Sequence, residues 1–452
     1  MRFLWIIAAA LGAVIAARWL LGPFVFLGIP VNAPLNPEGA FGLIVVALLA
    51  SRPASSTPPS TEPRASASGP ALLAAALALA ALSPALAVGF LSDDFILVHQ
   101  ARTSTAWLPL FTTPGGDGFF RPLGYLTFNL NALVGGWHLT SLAIHAANAA
   151  LVAALAVRLG ATRLIAFLAG ALFALHGTHL EAAVWVAGRF DLLAAFFTLS
   201  ALLLFGRHTA LALACTLAAL WSKEAAYPLP ALLTLLAWHE RKPLKSTIPY
   251  WALTAAAFLY RWTLLGGIGG YTAESGESAF FSLKFATTAK AVFVRLWTSL
   301  VFPLNWSHDP AFLAALAATA YIAALLWLSW RSRPTSALRL TLASLALSIL
   351  PPLHLLGGAA DLSGGRLLYL PSIWFCLLLA LAVAGTQRQP ALVAILLAFH
   401  FAALHHDLPY WQRASDQVRA LCEQTTPNPP RAIEGVPALA NGYAECSDPA
   451  NR

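Results

Sequence analysis

Residues 175–193 read LHGTHLEAAVWVAGRFDLL, which places two histidines, a glutamate, an arginine and an aspartate in an otherwise apolar neighbourhood. A polar group taken out of water is costly unless it finds a partner, so ionisable residues in such a setting are candidates for function. The rest of the chain says what the neighbourhood is. Of 452 residues, 59% are hydrophobic and only 10% charged, against roughly a quarter charged in ordinary soluble domains. Mean hydropathy is +0.71. This is the composition of an all-α polytopic membrane protein.

Apolar runs of about 20 residues mark transmembrane helices. They fall at 3–21, 39–50, 71–90, 137–157, 164–175, 191–206, 209–222, 225–238, 248–265, 311–330, 338–356, 367–384 and 391–405, a bundle of about 13 transmembrane helices. With the N-terminus cytoplasmic, the cytoplasmic links carry Arg52 and Arg64, Arg158 and Arg163, Arg207, Arg241 with Lys242 and Lys245, Arg331 with Arg333 and Arg339, and Arg388. Every such link is basic, as the positive-inside rule requires. The net charge of +8 therefore sets topology, and no nucleic-acid partner is implied. The apolar stretch 280–303 would invert this order if it spanned, so it reads as interfacial or re-entrant.

The domain division expected is an N-terminal transmembrane hairpin (1–50), a flexible Pro/Ser/Thr linker (51–70), a transmembrane catalytic unit (71–406) and an extracytoplasmic polar tail (407–452). The first helix reads as uncleaved, because no small-residue cleavage site follows it. Cys215 and Cys376 lie in apolar runs, whereas Cys422 and Cys446 lie in the tail and are candidates for a disulfide. The glycine cluster at 266–270 has no strand before it and reads as a loop.

Nearly all the unusual polar residues then collect on the extracytoplasmic side. Asp93 and Asp94 are adjacent carboxylates, which repel, so that one can keep a proton or act as a base; a solvated helix end is the plainer reading. Arg121 precedes Pro122 at a helix start. His138, His145 and Asn148 enter an apolar helix, the last two on one face, where an interhelical hydrogen bond would also account for them. Within the opening stretch, Thr178 and Glu181 have the spacing of a capping box, His176 and His179 suit a helix interface, and Arg189 and Asp191 are two apart and must each find another partner. Lys223 and Glu224 end the next span but one, and Arg366 and Tyr369 begin a later one. Arginine's planar fork suits phosphate.

Carboxylates and cations at a membrane surface fit an enzyme that draws a lipid-linked, phosphate-bearing substrate from the bilayer: cations hold the phosphate while a carboxylate deprotonates an acceptor hydroxyl. A transporter or flippase of lipid-linked sugars would also need polar residues in the membrane. A non-catalytic envelope assembly subunit would use the charges only to hold helices together. The two aspartates, His179 and Glu181 offer hard ligands, but their spacing is not diagnostic. A divalent cation could therefore bind, and none is expected to be obligatory.

The ordered set SDDF, FRPLGYLTFNLN, HLTSLAIHAANA, LHGTHLEAAVWVAGRFDLL, SKEAA, LVFPLNWS and GGRLLYLPS resembles the membrane portion of the transmembrane O-mannosyltransferases with tetratricopeptide repeats, of the GT-C glycosyltransferase superfamily. The resemblance covers residues 71 to 385. It implies a GT-C-like bundle whose extracytoplasmic loops carry short interfacial helices. It also implies inverting transfer of a monosaccharide, expected to be mannose, from a polyprenyl-phosphate donor to a protein Ser/Thr hydroxyl or a glycan. The location implied is the bacterial inner membrane, with the active site periplasmic. Asp93 and Asp94 match the family's catalytic acidic pair. Arg121, Arg189, Lys223, Arg366 and Tyr369 are the expected donor- and phosphate-binding residues. His138, His145, Asn148, His176, His179, Glu181, Asp191 and Glu224 are the expected supports of the pocket. Two positions depart from the pattern: Gly177 stands where the family has proline, and Gly365 where an acidic residue often precedes the arginine. No repeat array follows residue 406 in this chain.

Overall fold

A computed structural model of the chain describes residues 66–104, 106–115, 118–270, 296–305, 335–353, 355, 362–384 and 389–422, together with the backbone of two short strands. The strands, Phe24–Phe26 and Ile29–Val31, pair antiparallel. The expected spans at 3–21, 39–50 and 311–330, most of the linker, most of the 280–303 segment and Cys446 lie outside the described residues.

Helices make up the rest: α1 (Ser68–Leu82), α2 (Asp94–Thr103), α3 (Pro122–Val134), α4 (Trp137–Arg158), α5 (Arg163–Leu175), α6 (Leu180–Ala183), α7 (Arg189–Leu204), α8 (Thr209–Leu220), α9 (Leu229–His239), α10 (Ile248–Leu265), α11 (Ser336–Ile349), α12 (Tyr369–Ala384) and α13 (Gln389–Cys422). Five helical segments among the described residues are long and apolar enough to cross a bilayer: Ser68–Ala87, Trp137–Arg158, Val186–Leu204, Gly365–Ala384 and Gln389–Ala420. The pair Arg163–Leu175 and Gly177–Ala183, bent by 51°, makes a sixth if taken as one broken span. The structure thus gives five or six such spans where the apolar runs suggest about thirteen. The runs at 209–222 and 225–238 form helices of only 12 and 11 residues, shorter than a hydrocarbon core of ~30 Å requires. The last helix also continues past residue 406 to Cys422.

Packing rests on small residues. α1 lies against α4 and α5, α4 against α7, and α12 against α5 and α11. Ala74 and Ala78 of α1, Ala149 and Ala153 of α4, and Ala166 and Ala169 of α5 are fully or almost fully buried in one core. In lipid no hydrophobic force draws helices together, so short side chains that let backbones approach supply the contact.

The two ends of this bundle differ. At the end formed by the last turns of α4, α7 and α9, Arg158 donates to both oxygens of Glu240 at 2.7 and 2.9 Å and to the carbonyls of Leu202, Leu203 and Phe205. One guanidinium thereby satisfies carbonyls that a helix C-terminus leaves unpaired. The Lys242 ammonium also pairs with Glu240, at 2.7 Å. Burial works to raise the Glu240 pKa, but these two cations hold it down at about 2. Arg158→Ala leaves three carbonyls without their donor and Glu240 with Lys242 alone, and should lower stability by ~1–3 kcal/mol, read as a fall in the thermal midpoint in detergent. Arg207→Ala at the same end should leave the midpoint nearly unchanged.

Candidate active site

The stretch 175–193 forms a broken helix. α5 stops at Leu175, a single 3-10 turn covers Gly177–His179, α6 covers Leu180–Ala183, a second 3-10 turn covers Val186–Gly188, and α7 begins at Arg189. Non-helical backbone at this depth persists only where protein or a cavity receives it. Here two other segments do so. Gly177 packs so tightly on residue 303 that a Cβ would lie 2.0 Å from the Pro303 carbonyl oxygen, and a Cβ on Gly365 would lie 2.8 Å from the Thr178 carbonyl oxygen. Both departures from the family pattern therefore have one cause: backbone passes where a side chain would stand.

The capping box expected of Thr178 and Glu181 does not form. No side chain caps either short helix. Thr178 bonds His176 Nδ1 at 2.8 Å. Glu181 turns outward to Arg366, accepting from its backbone amide at 2.9 Å and its guanidinium at 3.3 Å. A charged partner across the break outcompetes a local amide.

Glu181–Arg366 is one of several pairs at this end of the bundle. Lys223 donates to Asp191 at 2.5 Å. Arg121 reaches Glu224 Oε2 at 2.8 and 3.1 Å, and Arg261, from α10, reaches Oε1 at 3.0 Å. The pairs form one electrostatic group, because the Lys223 ammonium feels Asp191, Arg121 and Arg366 together. Burial pulls Lys223 below the ordinary lysine range against the opposing pull of Asp191. Burial alone would raise Glu224, but Arg121 and Arg261 outweigh it and hold the carboxyl at about 2. Glu224 therefore stays ionised at any physiological pH.

The acidic pair is divided in role. Asp94 is fully buried and accepts three backbone N–H groups: Leu91 at 3.1 Å, Val186 at 3.4 Å and Ala187 at 2.7 Å. It pins the start of α2 to the turn before α7. Asp93, the N-cap residue of α2, is half-buried and, among the described residues, accepts from the Ser92 hydroxyl alone, at 3.3 Å. Trp185 links this loop to the cations: its indole N–H donates to the Leu91 carbonyl at 2.9 Å, and its ring carries the Arg366 guanidinium 4.4 Å from the centroid.

Seven expected cation or pocket residues lie elsewhere. Arg189 is fully buried, and its donors go to Ser141, Asn131, the Trp137 carbonyl and Thr127. It ties α7 to α3 and α4, and no phosphate could reach it without displacing those partners. Tyr369 is likewise buried, its hydroxyl held by His145 at 2.8 Å and Asn148 at 3.1 Å. These residues form an interhelical network rather than a pocket wall. His176 and His179 continue it, through the Leu300 carbonyl at 3.0 Å and Ser372 at 2.6 Å. His138 stacks on Phe90, 5.9 Å between ring centroids. Arg261 and Trp185 were not among the expected site residues. A lone arginine in the apolar run FLYRWTLL was the available signal for the first. No group of three or more His, Cys, Asp or Glu among the described residues could hold a metal ion.

Fold and site thus define a polytopic helical membrane protein with an ion-paired polar site at one end of its bundle. Its curated relatives are protein O-mannosyl-transferases. The chain is 37% identical over 141 residues to Protein O-mannosyl-transferase Tmtc2 of Drosophila melanogaster (27% of this chain, 15% of that protein). It is 34% identical over 176 residues to Tmtc1 of the same organism (33% and 20%), and 31% identical over 154 residues to TMTC2 of Homo sapiens (30% and 18%). The matches therefore span a fifth or less of the length of those relatives. No family model matches the chain.

Two outcomes test this geometry. Gly177→Pro should drive the ring into the Pro303 backbone and lower the thermal midpoint by several degrees, whereas Gly69→Ala, where an added Cβ meets open space, should not. Burial raises the Asp94 pKa from 3.8 to about 7, so the native state holds a proton more tightly than the unfolded chain. Stability from Asp94 is then full below pH ~4 and declines as pH rises toward ~7. Asp94→Asn should flatten that slope in a pH series of unfolding midpoints.

Proposed function

We propose that the protein is an integral-membrane, inverting glycosyltransferase that moves mannose from a polyprenyl-phosphate donor to a protein Ser/Thr hydroxyl on the extracytoplasmic side of a bacterial inner membrane. The observation that carries this reading is the group of Arg121, Lys223 and Arg366, each held by a carboxylate from another segment, with Arg366 seated on the Trp185 ring and that indole bonded to the Leu91 carbonyl of the loop that carries the half-buried Asp93.

Of the three cations, Arg366 and Lys223 are the ones assigned to the donor phosphate, with Glu181 and Asp191 holding them in place. Asp93 is the base. It takes the proton of the acceptor hydroxyl as the oxygen attacks the anomeric carbon from the face opposite the phosphate. The carbon–oxygen bond to phosphate breaks, and its electron pair leaves with the polyprenyl phosphate, where the two cations meet the charge. Configuration inverts once. Asp94 does not touch the acceptor: it positions Asp93 by anchoring the loop. The leaving charge is met by side chains, so this scheme needs no bound ion.

Asp93→Asn should lower transfer by ~10²-fold or more without moving the unfolding midpoint, measured with a polyprenyl-phosphate mannose and a Ser/Thr peptide. Full activity in Asp93→Asn would remove the assigned base. Saturating EDTA should leave the wild-type rate unchanged; loss restored by a divalent cation would place an ion in the site.

A further inference from the structure

Between α2, α3 and the segment that links them lies a cleft of about 250 Å³. One wall is a single face of α2, formed by Leu97, Gln100, Ala101 and Ser104. Asp93 stands four residues before Leu97, so helical spacing puts it one turn further along that same face. The opposite wall, on α3, is Tyr125, Phe128 and Asn129. The mouth is exposed at Gln100, Ser104 and Thr113, whereas the floor at Ala101, Phe128 and Asn129 is buried.

Two properties narrow the occupant. Among the described residues lining the cleft Arg121 is the one that carries a charge, and its guanidinium is engaged by Glu224. An occupant with its own charge would meet no other ionised group among them. Secondly, Asn129 is only 5% exposed, and its side-chain N–H₂ has no hydrogen-bond partner. A buried donor left unsatisfied is costly, and a carbonyl brought in by a ligand would satisfy it. A free sugar carries a hydroxyl on nearly every carbon, which four neutral polar side chains among mostly apolar ones serve poorly. An extended peptide, with carbonyls for Gln100 and Asn129 and small or apolar side chains for the aromatic wall, fits better.

We infer that this cleft binds the acceptor as an extended, uncharged polypeptide segment, and delivers its Ser or Thr hydroxyl to Asp93. The inference rests on the transferase reading for the final step, but the binding does not. Ser104 is exposed at the mouth, so Ser104→Trp can obstruct the cleft without disturbing the core. In the full chain in nanodiscs, a neutral Ser/Thr peptide carrying a photoreactive residue should label α2 and α3. Ser104→Trp should abolish that labelling and raise the peptide KM by ~10-fold or more. Val134→Trp, exposed on α3 but outside the cleft lining, should behave as wild type. Peptides with acidic or basic residues beside the hydroxyl should compete at least ~10-fold less well. Labelling unaffected by Ser104→Trp would overturn the proposal, as would mannose transfer to a free glycan in preference to the peptide. Peptide labelling without any mannose transfer would keep the cleft and remove the transferase.

Discussion

A charge at a membrane boundary must be matched, and at the polar end of this bundle the partners come from other segments. Glu181 takes Arg366 through both its guanidinium and its backbone amide. Asp191 takes Lys223, and Glu224 takes Arg121 and Arg261. Within one helix such residues stand too far apart or on different faces to pair, so pairing across segments is forced. The result joins the segment before α3, the helix break, α7, the α8–α9 turn, α10 and the start of α12 into one end of the bundle. Exposed pairs contribute little to stability, whereas a half-buried pair that loses one partner leaves a desolvated charge behind. The same pairs therefore fix architecture and hold cations where an anion could approach them.

The polar residues beneath this layer follow a different rule. His145, Asn148, His179, Tyr369 and Ser372 bond one another and backbone carbonyls, with no route to solvent. Buried polar networks that are largely satisfied rigidify the helices they join. Here the network fastens α4, α5 and α12 directly beneath the broken stretch, so the turns that carry Glu181 and Trp185 sit on a firm base. Sequence pattern places these residues in the same neighbourhood as the charged ones, because both kinds occur near helix ends. It cannot tell a side chain that points across a bundle from one that points out of it.

Much of the design was nevertheless legible. The membrane class follows from composition. The need of Arg189 and Asp191 for separate partners follows from their spacing, and the structure supplies Asn131 with Ser141 to one and Lys223 to the other. What sequence missed depends on distance in the chain. Arg261 and Glu224 are 37 residues apart, and Arg366 and Glu181 are 185 apart. Apolar runs and long helices differ at one place among the described residues because an apolar run says how oily a stretch is, not whether it stays helical: Pro228 and the Glu224–Ala226 turn interrupt one such region.

The split between Asp93 and Asp94 shows how one turn can serve structure and chemistry at once. Asp94 is fully buried and both its oxygens are taken by backbone amides, so no acceptor hydroxyl can reach it. Its neighbour, bonded by a single hydroxyl in the described structure, gives up little on taking a proton. Adjacent residues at a helix start point in different directions, so fixing one into the protein necessarily turns the other away from it. Asp94 faces the Val186–Ala187 turn, and Trp185, in that same segment, carries Arg366 on its ring. The turn that anchors Asp94 is thus also the seat of Arg366, and three consecutive residues, Trp185 to Ala187, tie the acidic loop to that guanidinium.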